Sequence, residues 1–122
     1  MGEAQLVIQN IGGVVVVSFG TASMLDTVTI AAVKKQLVEL VDQQAHRKLL
    51  LDFSRVKLLS SSMLGALIEL RKKSDAIKGR VAICGLKPEL HKVFKISRLD
   101  SLFHFYPSQE EGMKSFDILA KN

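Results

Sequence analysis

The stretch Leu49–Leu70, LLLDFSRVKLLSSSMLGALIEL, decides the fold. Leu49, Leu50 and Leu51 form an unbroken apolar run that ends at Asp52, the pattern of a strand covered on both faces, as central strands of α/β sheets are. A loop, Phe53–Leu59, follows. Ser60, Ser61 and Ser62 then offer hydroxyls where a helix needs side-chain oxygens for its first unpaired N–H groups. Leu64, Leu67, Ile68 and Leu70 recur at helical spacing, so at least one serine is expected at a helix N-terminus, exposed at the carboxyl end of a central strand.

Ligands and modifications of open α/β sheets concentrate at strand carboxyl ends, where helix N-termini favour negative charge. A serine in that place is a phosphate acceptor or simply a helix cap, and its position alone is compatible with both.

Outward from this stretch, the flanking sequence repeats the strand-to-helix alternation. Upstream, Gln5–Asn10 and Val14–Val17 with Phe19 flank Gly12-Gly13 and read as an antiparallel hairpin, closed by Gly20. Leu25-Asp26 opens a helix that Asp26 can cap, with Ile30, Val33, Leu37, Leu40 and Val41 as its apolar face. Downstream, Lys78-Gly79 turns into the strand Val81–Cys84, and Pro88 starts a short helix carrying Leu90, Val93 and Phe94. Leu102–Tyr106 reads as the last strand. Pro107 ends it, and Ser108 with Glu111 fits a capping box for a final helix through Met113, Phe116 and Leu119. The order ββαβαβαβα predicts an α/β fold, a mixed and mostly parallel sheet flanked by helices, as one domain over residues 1–122.

The chain has 122 residues, 48% of them hydrophobic and 24% charged, enough for a core of ordinary size. No apolar run is long enough to cross a bilayer, and Met1–Gln9 lacks the order of a signal peptide, so a cytoplasmic protein without membrane insertion is expected. The net charge is +5, and thirteen of the seventeen Lys and Arg residues lie between Arg47 and Arg98. Aromatic stacking platforms do not interleave with them, which argues against direct nucleic-acid binding and for a solvated face or an acidic partner.

Motifs for catalysis are missing. His46, His91 and His104 stand far apart, without a second ligand type at metal spacing, and read as structural or surface residues. The single cysteine, Cys84, sits in an apolar run and reads as a small buried hydrophobe. There is no glycine-rich phosphate cradle, nucleophile elbow or carboxylate pair, so neither an enzyme nor a cofactor or metal is expected. Asp52 is the one acid in a suggestive place and is read as a hydrogen-bonding anchor for its loop.

Taken in order, several of these segments resemble the STAS domain family, and within it the single-domain bacterial anti-sigma-factor antagonists. The resemblance spans nearly the whole chain. It rests on Leu25-Asp26, on Leu51-Asp52-Phe53-Ser54 with Val56 and Leu59 leading to the serines, on Gly65, and on Gly85-Leu86, Leu99–Phe103 and Tyr106–Glu111. The family pattern Asp-Ser-Ser-Gly-Leu-Gly corresponds to Ser60-Ser61-Ser62-Met63-Leu64-Gly65, with Ser60 in place of the aspartate and Met63 in place of a glycine. By this resemblance Ser61 is the serine phosphorylated by a partner kinase that is also the anti-sigma factor, with Ser60 and Ser62 as alternatives. A serine phosphatase resets the cycle.

The resemblance implies a binding module for that kinase. Asp26, Arg55, Lys57, Ser60, Ser61, Ser62 and Met63 are expected to form its contact patch, because the segments that carry them all follow strands running to one sheet edge. The alternative is a constitutive STAS adaptor in a signalling or lipid-transport complex, in which the serines only cap the helix. A small enzyme or nucleotide-binding protein is the third reading, disfavoured by the missing constellations.

Overall fold

The computed structural model describes residues 6–20, 23–24 and 27–120. Leu6–Ile11 (β1) and Val14–Phe19 (β2) form the expected antiparallel hairpin, paired from Leu6 opposite Phe19 to Ile11 opposite Val14. Gly12 and Gly13 both take positive φ, +58° and +87°, which a two-residue turn matching the strand twist requires. The Asn10 side chain accepts from the Gly13 N–H at 3.1 Å. Gln5, placed by the sequence at the start of this strand, lies outside the described residues.

Each later strand of the main sheet is reached through a helix. Thr27–Asp42 (α1) leads from β2 to Lys48–Asp52 (β4), Ser61–Ala76 (α2) leads to Arg80–Cys84 (β6), and Pro88–Ile96 (α3) leads to His104–Tyr106 (β7). The two-residue strands Ser23–Met24 (β3) and Leu58–Leu59 (β5) pair with each other, apart from the main sheet. Its order is β1-β2-β4-β6-β7, with every pair parallel except the hairpin. Leu49–Leu51 therefore lie in the central strand, and all three are fully buried.

Alternation along the strands feeds two apolar layers. Val15, Val17, Leu49, Leu51, Val81 and Ile83 face α1, α2 and α3, joined there by Val33, Leu37, Leu67 and Phe94. Val14, Val16, Leu50, Ala82 and Cys84 point to the other face, which Gln109–Ala120 (α4) covers with Phe116 and Met113. Burial on both sides explains why the strands read as continuous apolar runs rather than alternating ones. All five apolar positions assigned to α1 are buried.

Two expectations need correction. The segment Phe53–Leu59 is not loop throughout, because Leu58 and Leu59 pair in parallel with Ser23 and Met24. A strand of two residues has no periodicity to read. The last strand begins at His104 rather than Leu102: Leu102 and Phe103 lie in the preceding turn, where Phe103 is buried against Phe94, ring centroids 6.2 Å apart. Its apolar character serves the core and not a sheet ladder.

Candidate functional site

The loop leaving the central strand is fixed from several directions. Phe53 and Val56 are fully buried and act as its two apolar feet. The Phe53 N–H donates to the Cys84 carbonyl at 2.9 Å, and Val56 N–H to the Phe53 carbonyl at 3.0 Å. Asp52 accepts from the Ser54 N–H at 2.9 Å through Oδ1, and from the Gln109 amide at 3.2 Å through Oδ2. This is the loop-anchoring role read for it in the sequence. Lys87 reaches over from the start of α3 and donates Nζ to the Ser54 carbonyl at 2.6 Å. Gly85, at φ +69°, lies so close that a Cβ there would stand 3.0 Å from that of Ser54. With both feet buried, Ser54, Arg55 and Lys57 are left exposed.

Pairing of β5 with β3 then sets the chain beside the segment that leads into α1 and delivers it to the serines. Ser60 is the N-cap: its backbone is extended, φ −92° and ψ 164°, and its Oγ accepts from the Met63 N–H at 3.3 Å. Extended backbone with a short side-chain acceptor is what an N-cap needs. Ser61 and Ser62 are the first two helical residues, and both are exposed. The first turn of α2 has no acidic side chain, so the positive end of its helix dipole receives no counter-charge from that turn. Among the described residues neither Arg55 nor Lys57 has a carboxylate in ion-pair range. Leu58, 53% exposed, adds an apolar spot next to these cations.

Of the predicted contact residues, Arg55, Lys57, Ser60, Ser61 and Ser62 lie on this stretch. Met63 does not belong with them. Its side chain is fully buried in the core beneath α1, α2 and the sheet, because helical spacing from Ser60 turns it inward with Leu67 and Leu70. Asp26 lies outside the described residues, as does the Leu25-Asp26 cap of α1. Gln109 and Lys87, which hold the loop, gave no signal in the sequence; each is one polar residue near a proline.

A cleft of about 380 Å³ opens beside the loop, at the carboxyl ends of β2 and β4, lined by Val7, Ser18, Phe19, Asp52, Ser54 and Arg55 among others. The histidines lie apart from it. His46 bonds Gln44 at 3.1 Å, His91 packs against Phe105 with tilted rings whose centroids are 4.8 Å apart, and His104 is largely exposed on β7. Partial burial, then Arg80 and Arg71, hold His104 below the ordinary imidazole range. Among the described residues no group of three His, Cys, Asp or Glu side chains could hold a metal ion. What the stretch offers chemically is hydroxyls on a helix N-terminus beside exposed cations, a place able to carry phosphate and to meet another surface.

A STAS domain family model matches residues 5–112. The chain belongs to the STAS domain family. It is 31% identical over 81 residues to BtrV of Bordetella bronchiseptica, a protein named as an anti-sigma factor antagonist, covering 66% of this chain and 69% of that one. Among solved structures it is similar to a serine-to-glutamate variant of Moorella thermoacetica RsbS, with a TM-score of 0.82, 18% identity, and 97% and 99% of the two chains covered. It is also similar to the Bacillus cell fate determinant SpoIIAA in its phosphorylated form, with a TM-score of 0.71, 20% identity, and 93% and 98% covered. At such identities the structural likeness speaks for the STAS fold alone. Among the described residues no helix is long and apolar enough to cross a membrane.

Proposed function

We propose that this STAS domain is an anti-sigma-factor antagonist, a cytoplasmic binding module whose contact with an anti-sigma factor and serine kinase is switched by phosphate on Ser61. In this reading residues 1–122 act as one domain, and a serine phosphatase restores the binding form. The observation that carries the proposal is the division of labour at the start of α2: Ser60 holds the cap, while the Ser61 hydroxyl is exposed on the first helical residue. The name of BtrV and the phosphorylated form of SpoIIAA support it by relationship.

Phosphate adds about −1.5 to −2 charges at neutral pH, and a helix whose first turn holds no acidic side chain accepts that charge readily. The domain therefore stays folded when modified. The charge acts instead on the docking surface, where it competes for Arg55 and Lys57 and imposes desolvation on any partner that covers it. No catalytic group of this chain takes part.

The test uses the cognate kinase and ATP, with the modified residue located by tandem mass spectrometry. Phosphate is expected on Ser61, absent in Ser61→Ala. Modification should weaken kinase binding while the circular dichroism spectrum is unchanged. Absence of phosphate on any of the three serines, with Ser61→Asp binding as tightly as the parent, would give way to the constitutive adaptor.

A further inference from the structure

The two edges of the main sheet are built differently. β7 is three residues long and is followed by Pro107, which cannot donate to a ladder, so this edge is short and blunt. β1 has six residues, LVIQNI, paired with β2 without a bulge. Its outer edge pairs with no strand among the described residues. Val7, Ile8 and Ile11 are 54%, 43% and 42% exposed, half of the large apolar side chains that are exposed in the described residues. Natural edges of this length are guarded by lysine, proline or a bulge, and β1 has none of these.

The occupant follows from charge and symmetry. A chain of net charge +5 repels its own copies over most of its surface, whereas Leu6–Ile11 carries no charge at all. When a strand pairs antiparallel with its own copy across a twofold axis normal to the sheet, opposed residues must lie on the same face. Their numbers then share parity. Centring the axis on Gln9 sets Val7 against Ile11 of the second copy, twice by symmetry, on the face to which Val14 and Val16 point. It also sets Gln9 against Gln9 and Ile8 against Asn10. Val7 and Ile11 thus form an apolar pair, and no pair sets like charges against each other, the arrangement that destabilises cross-strand neighbours.

We propose that two copies of this chain associate through β1, antiparallel about Gln9, joining their five-stranded sheets into one. The association uses no residue of the α2 N-terminus, so its test is separate from that of the phospho-switch.

Two measurements on the full chain test it. Sedimentation or light scattering at about 0.1 mM, a concentration suited to an interface of modest area, should return twice the 13.5 kDa of one chain, and Ile11→Lys should return one. In the second, Gln9→Cys should form a disulfide-linked dimer on mild oxidation, because self-opposed residues bring their Cβ atoms to about 4.5–5.5 Å, whereas Asn10→Cys should not. The buried Cys84 should not contribute to the cross-link. A monomeric parent, a dimer unaffected by Ile11→Lys, or equal cross-linking at residues 9 and 10 would each overturn the proposal. If Ile11→Lys does not fold, the cross-linking pair decides alone.

Discussion

Gln109 donates its side-chain amide to Asp52 at 3.2 Å, joining the first turn of α4 to the end of the central strand. The same carboxylate holds the Ser54 N–H through its other oxygen. Loss of both bonds in Asp52→Ala should cost about 1–3 kcal/mol, as two hydrogen bonds of ordinary net strength do. Gln109→Leu removes one and should cost about half as much. Urea unfolding measures both; a parental midpoint for Asp52→Ala would show that the loop does not depend on this anchor.

Ser60 and Ser61 should respond differently to substitution. Ser60→Ala removes the cap and should cost about 0.5–2 kcal/mol. Ser61→Ala should stay within about 0.5 kcal/mol of the parent, as exposed substitutions do, and Ser61→Asp should gain slightly from the helix dipole. Thermal melts of the three variants give the order directly. A larger loss for Ser61→Ala than for Ser60→Ala would move the cap to Ser61 and undercut the proposed switch.

Met63 behaves as core and not as contact surface. Met63→Ala should cost about 2–5 kcal/mol, while the nearly isosteric Met63→Leu should cost less than about 1.5 kcal/mol and bind the kinase as the parent does. A Met63→Leu variant that folds normally yet loses the kinase would restore this residue to the interface.

Burial, with the Asp52 charge as a smaller cause, pushes the Cys84 thiol up from 9.0 to about 12. The folded state thus keeps the neutral thiol over a range in which the unfolded chain ionises. This contribution to stability is complete below pH 9 and is lost as pH rises from 9 toward 12. Since the thiolate is the reactive form, Cys84 should resist Ellman's reagent at pH 8 until the protein is unfolded by urea. Rapid labelling of the native protein would contradict the burial.

Charge reversal in the loop probes the proposed docking surface. Lys57→Glu should weaken kinase binding by about tenfold, roughly 1.4 kcal/mol, with a steeper loss at low salt. Because Lys57 is exposed and makes no ion pair among the described residues, its melting temperature should match the parent's. Equal affinity of both proteins would place the interface elsewhere.

The sequence discloses the layers and the serine helix because each follows from local chemistry. Leu49–Leu51 is apolar on both faces because both faces are covered, and Ser60 precedes a helical apolar stripe because a helix needs a cap. The β3–β5 pair is illegible there, since two residues show no period. Met63 is legible too, since it stands four residues before Leu67 and seven before Leu70 on the apolar stripe; the serine run beside it draws the contact reading one residue too far. The ties from Gln109 and Lys87 depend on which loops the crossovers bring together, information that lies in the tertiary fold and in no segment of the chain.

The order of the strands also bears on how the chain acquires its structure. The β1–β2 hairpin closes over two glycines and can form in microseconds, without waiting for any other segment. Every pairing made by β4 must instead bring together strands separated by a whole helix, α1 on one side and α2 on the other, and loop-closure entropy delays such contacts. During that interval the uncharged edge is presented whenever the hairpin transiently forms, before the parallel sheet exists. Refolding at high protein concentration should therefore be the condition in which this chain is most prone to aggregate, with Ile11→Lys as the substitution that relieves it.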